Sequence, residues 1–290
     1  MTSPPVAWGT VTQARLEVVQ RYCYTYSAPV TDVRQRLLMV PPARHHDQRL
    51  VAYTLEVGGA TPGWELAWET DAFGNRVARV LAPRVEQTLT FEARYVVERT
   101  AGRLAGGFDH RPYLRPTALT APDDHLHAVA DQIRRQASSA PERAEQAHDW
   151  TARAIMYQVG ATDVRTPAAM ALHLGRGVCQ DYAHLLLCVL RLLRIPARYV
   201  SGQLLGEGVP HAWVEALVDG EVIAYDPTHH RRTRLDYVTV AVGRDYADVA
   251  PTSGTFTGAA TGVLSAAKHA SALLVRQAPG DPREGDGTAA

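Results

Sequence analysis

Lysine is almost missing from this chain. Lys268 is the only one, so arginine supplies nearly all of the 30 basic residues, and 30 acidic residues balance them. A formal charge of zero excludes the excess that marks a nucleic-acid or membrane-surface partner. We read the arginine bias as genome base composition rather than as a phosphate site. Three cysteines in 290 residues are too few for a disulfide framework, and their spacing fits no zinc motif. A reducing compartment is the simplest setting. No apolar run reaches the roughly 18 residues of a membrane helix. Residues 1–9 lack the basic segment and apolar core of a secretory signal. No acidic loop has calcium spacing, so neither a metal nor another cofactor is expected. The expectation is a soluble, cytoplasmic protein with no nucleic-acid or membrane partner.

What the chain does have is length and apolar content, 290 residues at 46% hydrophobic, enough for two domains or one large one. The first hundred residues alternate. Leu16, Val18, Tyr22, Tyr24 and Tyr26 recur at even positions, and Arg49 to Val57, Glu65 to Thr70, Arg76 to Leu81 and Thr88 to Glu98 continue the period. Period two with β-branched and aromatic residues predicts half-buried strands, here in an antiparallel β-sandwich. From Gly102 to Pro122, glycine and proline break the pattern and mark a boundary.

Helices follow. Asp123 to Ala137 carries Leu126, Val129, Ala130 and Ile133 on one face, and a second helix starts near Pro141. A third, Cys179 to Arg194, is apolar nearly all round, as a central helix must be, and Ile195-Pro196 stops it. Strands return at Ala197 to Leu205, Ala212 to Val218, Glu221 to Asp226 and Tyr237 to Val242, with another at Ala266 to Arg276. The expected division is a β domain at 1–105, a linker at 106–122, a catalytic domain at 123–277 and a disordered tail at 278–290.

Cys179 stands where the glycine-rich Gly175-Arg176-Gly177 becomes the apolar helix. First-turn N–H groups of a helix lack intrahelical partners, and the helix dipole favours negative charge there, so both stabilise a thiolate. The Cys179 backbone N–H is also placed to meet an oxyanion. The plainer alternative is a small buried hydrophobe, the role we give Cys188 and Cys23. His211 begins a strand and is the candidate base; Trp213, two residues on, shares its face. A satisfied polar histidine is its alternative, and 12 histidines weaken any single choice. Adjacent strand residues point to opposite faces, so His45-His46 and His229-His230 are read as solvated loops rather than metal ligands.

Asp219-Gly220 predicts a tight hairpin. Pairing Val218 with Glu221 and counting outward sets Asp226 opposite Trp213, a diagonal neighbour of His211 on one face. Asp226 could then orient the imidazole; its alternative is an Asx cap on the Pro227-Thr228 turn.

Several ordered motifs resemble the bacterial transglutaminase-like superfamily. They are Gly177-Val178-Cys179-Gln180-Asp181-Tyr182-Ala183-His184, Ile195-Pro196-Ala197-Arg198-Tyr199-Val200-Ser201-Gly202, His211-Ala212-Trp213-Val214-Glu215 and Tyr225-Asp226-Pro227-Thr228. Gly243-Arg244-Asp245-Tyr246-Ala247-Asp248-Val249-Ala250-Pro251 extends them. Tyr24-Thr25-Tyr26-Ser27-Ala28-Pro29-Val30 and Phe73-Gly74-Asn75 are similar to the β domain preceding that core. The resemblance covers roughly Arg15 to Thr257 and implies an α+β fold with a papain-like core. It also implies a Cys-His-Asp triad at Cys179, His211 and Asp226. Ala224 departs from the large residue many members carry there, which bears on pocket shape. The second oxyanion donor does not carry over; Tyr157 and Gln158 are the candidates.

The function implied is acyl transfer on a peptide or protein substrate through a Cys179 thioester. Hydrolysis is favoured, because the family's bacterial members more often resemble proteases. Transamidation to an amine and a non-catalytic binding or scaffold role are the alternatives. A metal hydrolase lacks a His-x-x-x-His helix.

Overall fold

The computed structural model describes residues 6–102, 104 and 107–278. Residues 279–290 of the expected tail and residue 106 of the expected linker lie outside these described residues.

The N-terminal region contributes β1 (Val11–Tyr26), β2 (Val30–Leu37), β3 (Arg44–His45), β4 (Gln48–Ala60), β5 (Glu65–Thr70) and β6 (Arg76–Thr100). The two strands expected between Arg76 and Glu98 are one 25-residue strand. Its first half pairs with β2 and β5, its second with β1 and β4. Tyr22 and Phe91 from one half meet Val33 and Val80 from the other in a single apolar core. The packing expected of a sandwich is thus achieved within one continuous antiparallel sheet.

The rest of the chain adds α1 (Asp124–Gln136), α2 (Ala140–Ala154), β7 (Met156–Tyr157), α3 (Ala168–Leu174), β8 (Arg176–Gly177) and α4 (Cys179–Leu192). Asp123 caps α1 by accepting the Leu126 N–H at 2.9 Å, and Ser139 and Glu142 cap α2 reciprocally. Then come β9 (Ala197–Leu204), β10 (His211–Val218), β11 (Glu221–Asp226), β12 (Arg231–Arg232) and β13 (Tyr237–Gly243). These five strands form an antiparallel sheet in the order β12-β11-β10-β9-β13. Leu185, Leu186, Leu187, Val189 and Leu190 of α4 are fully buried between that sheet and the other helices. Among the described residues, no helix is long and apolar enough to cross a membrane.

The last elements are α5 (Tyr246–Val249), β14 (Thr252–Thr257) and β15 (Gly262–Gln277). Residues 252–277, counted with the catalytic domain on sequence grounds, return to the N-terminal sheet: β14 pairs with β2 and β15 with β1. Two side-chain amides join that sheet to the second one. Gln48 donates to Thr239 O at 2.8 Å and accepts the Thr239 N–H at 2.9 Å. Asn75 does the same with Val242, at 2.8 Å for both bonds. Each amide satisfies backbone groups on the free edge of β13, where a neighbouring strand would otherwise bond.

Candidate active site

Cys179 is the first residue of α4, and the turn leading into it is held by a buried carboxylate. Asp181 Oδ2 accepts the Val178 N–H at 2.7 Å and the Thr162 hydroxyl at 2.6 Å. A Cβ at position 177 would sit 2.6 Å from that oxygen, so glycine is required for the close approach. Burial raises the Asp181 pKa against these hydrogen bonds. The Cys179 thiol is half-buried and 3.9 Å from Pro210 O, the carbonyl that precedes His211.

His211 is the first residue of β10 and is buried. Its Nε2 lies 2.7 Å from Asp226 Oδ2. The hairpin register matches the count from the Asp-Gly turn, with Val218 opposite Glu221 and Val214 opposite Tyr225. Trp213 stacks beside the His211 ring, centroids 6.2 Å apart. Trp213 is itself seated against Gly202, where a Cβ would lie 2.3 Å from the indole. Burial opposes an imidazolium at His211, but the hydrogen bond it donates to Asp226 and its interaction with Cys179 outweigh that and push the pKa up to about 10.

Asp226 is fully buried and serves both purposes considered for it. Its Oδ1 caps the turn, accepting the N–H groups of Thr228 at 3.0 Å and His229 at 3.2 Å. Its Oδ2 receives His211 Nε2, His229 Nδ1 at 2.8 Å and the Tyr237 hydroxyl at 2.6 Å. Burial resists its ionisation, yet these donors hold the carboxyl far below the usual carboxylate range. Arg231 Nε in turn donates to Tyr237 Oη at 2.8 Å.

The fold therefore brings Cys179, His211 and Asp226 together from a helix start, a strand start and a strand end. Cys188 is apart from them in the helical core, where burial pushes its thiol up to about 12. Cys23 lies on β1. Of the two oxyanion candidates, Gln158 commits its backbone N–H to Gly177 O at 2.8 Å. Tyr157 is half exposed beside the site; burial raises its phenol pKa, with the Cys179 and Glu207 charges adding to the rise. Met156, Val159 and Val209 are well exposed; Met156 is on β7, which pairs with β8 just before Cys179, and Val209 precedes Pro210.

The histidine pairs differ from their reading as solvated loops. His45 and His46 are mostly shielded, and both reach Glu215, at 2.8 Å and 3.2 Å. Strand alternation would separate them, but His46 has φ +50°, which turns its ring to the same side. His229 and His230 are both exposed, but His229 joins Asp226 and His230 pairs with Asp149. Sequence reasoning missed Tyr237, His229 and Glu207 as site neighbours. Glu207 lies 3.4 Å from His211 Nδ1 and 3.1 Å from His229 Nε2. The available signal was position: His229 follows Asp226 by one turn, and Glu207 precedes His211 by four residues.

Comparison with known proteins places the chain in a family. Residues 127–227 match the model of the transglutaminase-like superfamily core, and residues 16–98 match the bacterial transglutaminase-like N-terminal region. An uncharacterized protein of Mycobacterium leprae is 33% identical over 84% of this chain and 94% of its own. An uncharacterized protein of Mycobacterium tuberculosis is 28% identical over 83% and 87%. Among solved structures, that of "a Putative Cysteine Protease from Cytophaga hutchinsonii" superposes with a TM-score of 0.74. It covers 92% of this chain and 93% of its own at 24% identity, a likeness of fold.

Proposed function

This chain belongs to the transglutaminase-like superfamily, and from that premise we propose that it transfers acyl groups from peptide or amide substrates through a thioester on Cys179. One observation carries the reading: the Cys179 thiol lies 3.9 Å from Pro210 O, and the next residue, His211, has its Nε2 fixed by Asp226 at 2.7 Å. With Nε2 so engaged, Nδ1 is the nitrogen left for the thiol proton. The raised His211 pKa favours imidazolium, the partner a thiolate needs.

In the proposed cycle, the thiolate attacks the carbonyl carbon and the Cys179 N–H receives the oxyanion. The C–N bond breaks as His211 gives its proton to the departing amine. His211 then takes a proton from water, whose oxygen attacks the thioester, releasing the acid and restoring the thiolate. Cys179 is only half-buried, so water reaches the acyl-enzyme without a dedicated amine site; this favours hydrolysis over transamidation. The exposed Met156 and Val209, near in sequence to segments that approach Cys179, suit a peptide or protein substrate with apolar side chains.

The test is incubation with a peptide and glutamine-donor library, with and without a primary amine, and products read by mass. Hydrolysed products lost in Cys179→Ala are expected. Turnover surviving Cys179→Ala overturns the mechanism; amine adducts would assign transamidation. An ordinary, slow reaction of Cys179 with iodoacetamide at neutral pH would support a scaffold instead.

A further inference from the structure

Asp226 holds two imidazoles, not one. Its Oδ2 takes His211 by Nε2 at 2.7 Å and His229 by Nδ1 at 2.8 Å. The opposite nitrogens, His211 Nδ1 and His229 Nε2, face the same carboxylate, Glu207, at 3.4 Å and 3.1 Å. A carboxylate behind each imidazole is the arrangement that orients histidines towards a metal and makes them stronger donors. Ligand atoms bound tetrahedrally to zinc at about 2.0 Å stand roughly 3.3 Å from one another. The two Glu207 separations, from Oε2 to His211 Nδ1 and from Oε1 to His229 Nε2, are close to that size. The ligand atoms of the three residues lie within 4.8 Å of one another, and the Cys179 sulfur stands outside that group.

Two other clusters of metal-binding side chains occur among the described residues, and neither is open in this way. At His45, His46 and Glu215, the Arg198 guanidinium lies 2.9 Å from His46 Nε2 and 2.6 Å from Glu215, where a cation would have to sit. At His148, Asp149 and His230, His148 Nε2 is engaged with Asp226 O at 3.1 Å.

We infer that Glu207, His211 Nδ1 and His229 Nε2 form a site for zinc or a similar divalent cation that reversibly takes His211 away from Cys179. The inhibitory part rests on the thiol mechanism proposed above; the binding part does not. Ligation forms bonds from two nitrogens and a carboxylate oxygen to the metal, and displaces the His211 Nδ1 proton to solvent. Nothing is oxidised, and a chelator reverses it.

The experiment uses the full chain, stripped with a chelator, and its Glu207→Gln and His229→Gln variants. Both substituted side chains are partly exposed, and thermal unfolding would verify that each variant folds. Zinc titration by calorimetry is expected to give one ion per chain, weakened at least tenfold in each variant. Zinc is expected to slow iodoacetamide alkylation of Cys179, identified by mass, with the same tenfold shift in the concentration required. The absence of stoichiometric binding, or equal protection of Cys179 in both variants, overturns the inference. Turnover that requires zinc and survives Cys179→Ala would instead sink the thiol mechanism and leave a metal site.

Discussion

Asp226 concentrates more of the site's organisation than any other residue, because its two oxygens do separate jobs. Asp226→Asn preserves size but replaces an acceptor with a donor where His211, His229 and Tyr237 all require acceptance. Turnover is expected to fall by about 10³–10⁴ while the protein still folds, since a misheld imidazole leaves only binding and the oxyanion donors. Tyr237→Phe removes one hydrogen-bond donor to Asp226 and leaves the histidine in place. We expect about a tenfold loss in kcat with KM little changed, and steady-state kinetics on the two variants would separate the roles. Equal losses would mean that Tyr237 does more than position the carboxylate.

At the scale of elements, the strongest tie between the two sheets is made by amides. Asn75→Ala would leave the buried N–H and C=O of Val242 without their partner. Each orphaned backbone group costs about 1–3 kcal/mol, so a loss of roughly 2–4 kcal/mol is expected in urea unfolding. An effect under 0.5 kcal/mol would show that water replaces the amide freely. Elements were also where sequence and structure compare best. The Asp219-Gly220 turn fixes hairpin register locally, so the approach of Asp226 to His211 was legible. The leucines of α4 announced a buried helix for the same reason: one local pattern decides the matter. β2 was hidden because Asp32 adopts φ +48° and interrupts its alternation, giving burial at Val30 and Val33 rather than at every second residue. β14, with sequence Thr-Ser-Gly-Thr-Phe-Thr, has almost no apolar signal and is recruited by β2. Glu207 and His229 come from loops, where no period marks which side chains converge.

The whole molecule is expected to lose stability in acid, and His184 is one definable cause. It is fully buried in α4, its Nε2 accepts the Tyr246 N–H at 3.2 Å, and burial lowers its pKa from 6.5 to about 3. Between those values the unfolded chain binds a proton that the folded one refuses. Stability is therefore retained above pH 6.5 and declines as pH falls through that window, by up to about 1.4 kcal/mol per pH unit from this group. His45 and His148, also lowered by burial, act in the same direction. Urea midpoints at pH 7 and pH 5 would measure the decline. A His184→Gln variant should show a shallower one, and an unchanged slope would assign the effect elsewhere.

The pairing of β1 with β15 also sets an order on synthesis. Thr12 bonds to Arg276, 264 positions later, so β1 waits for a strand made well over two hundred residues after it. During that interval β1 can pair with β6 while its other edge stays open. The segment carrying Cys179, His211 and Asp226 emerges wholly within the wait. The candidate site can thus assemble before the sheet beside it is closed, and slow translation of the stretch leading to β15 would prolong the period in which that open edge can meet another nascent chain.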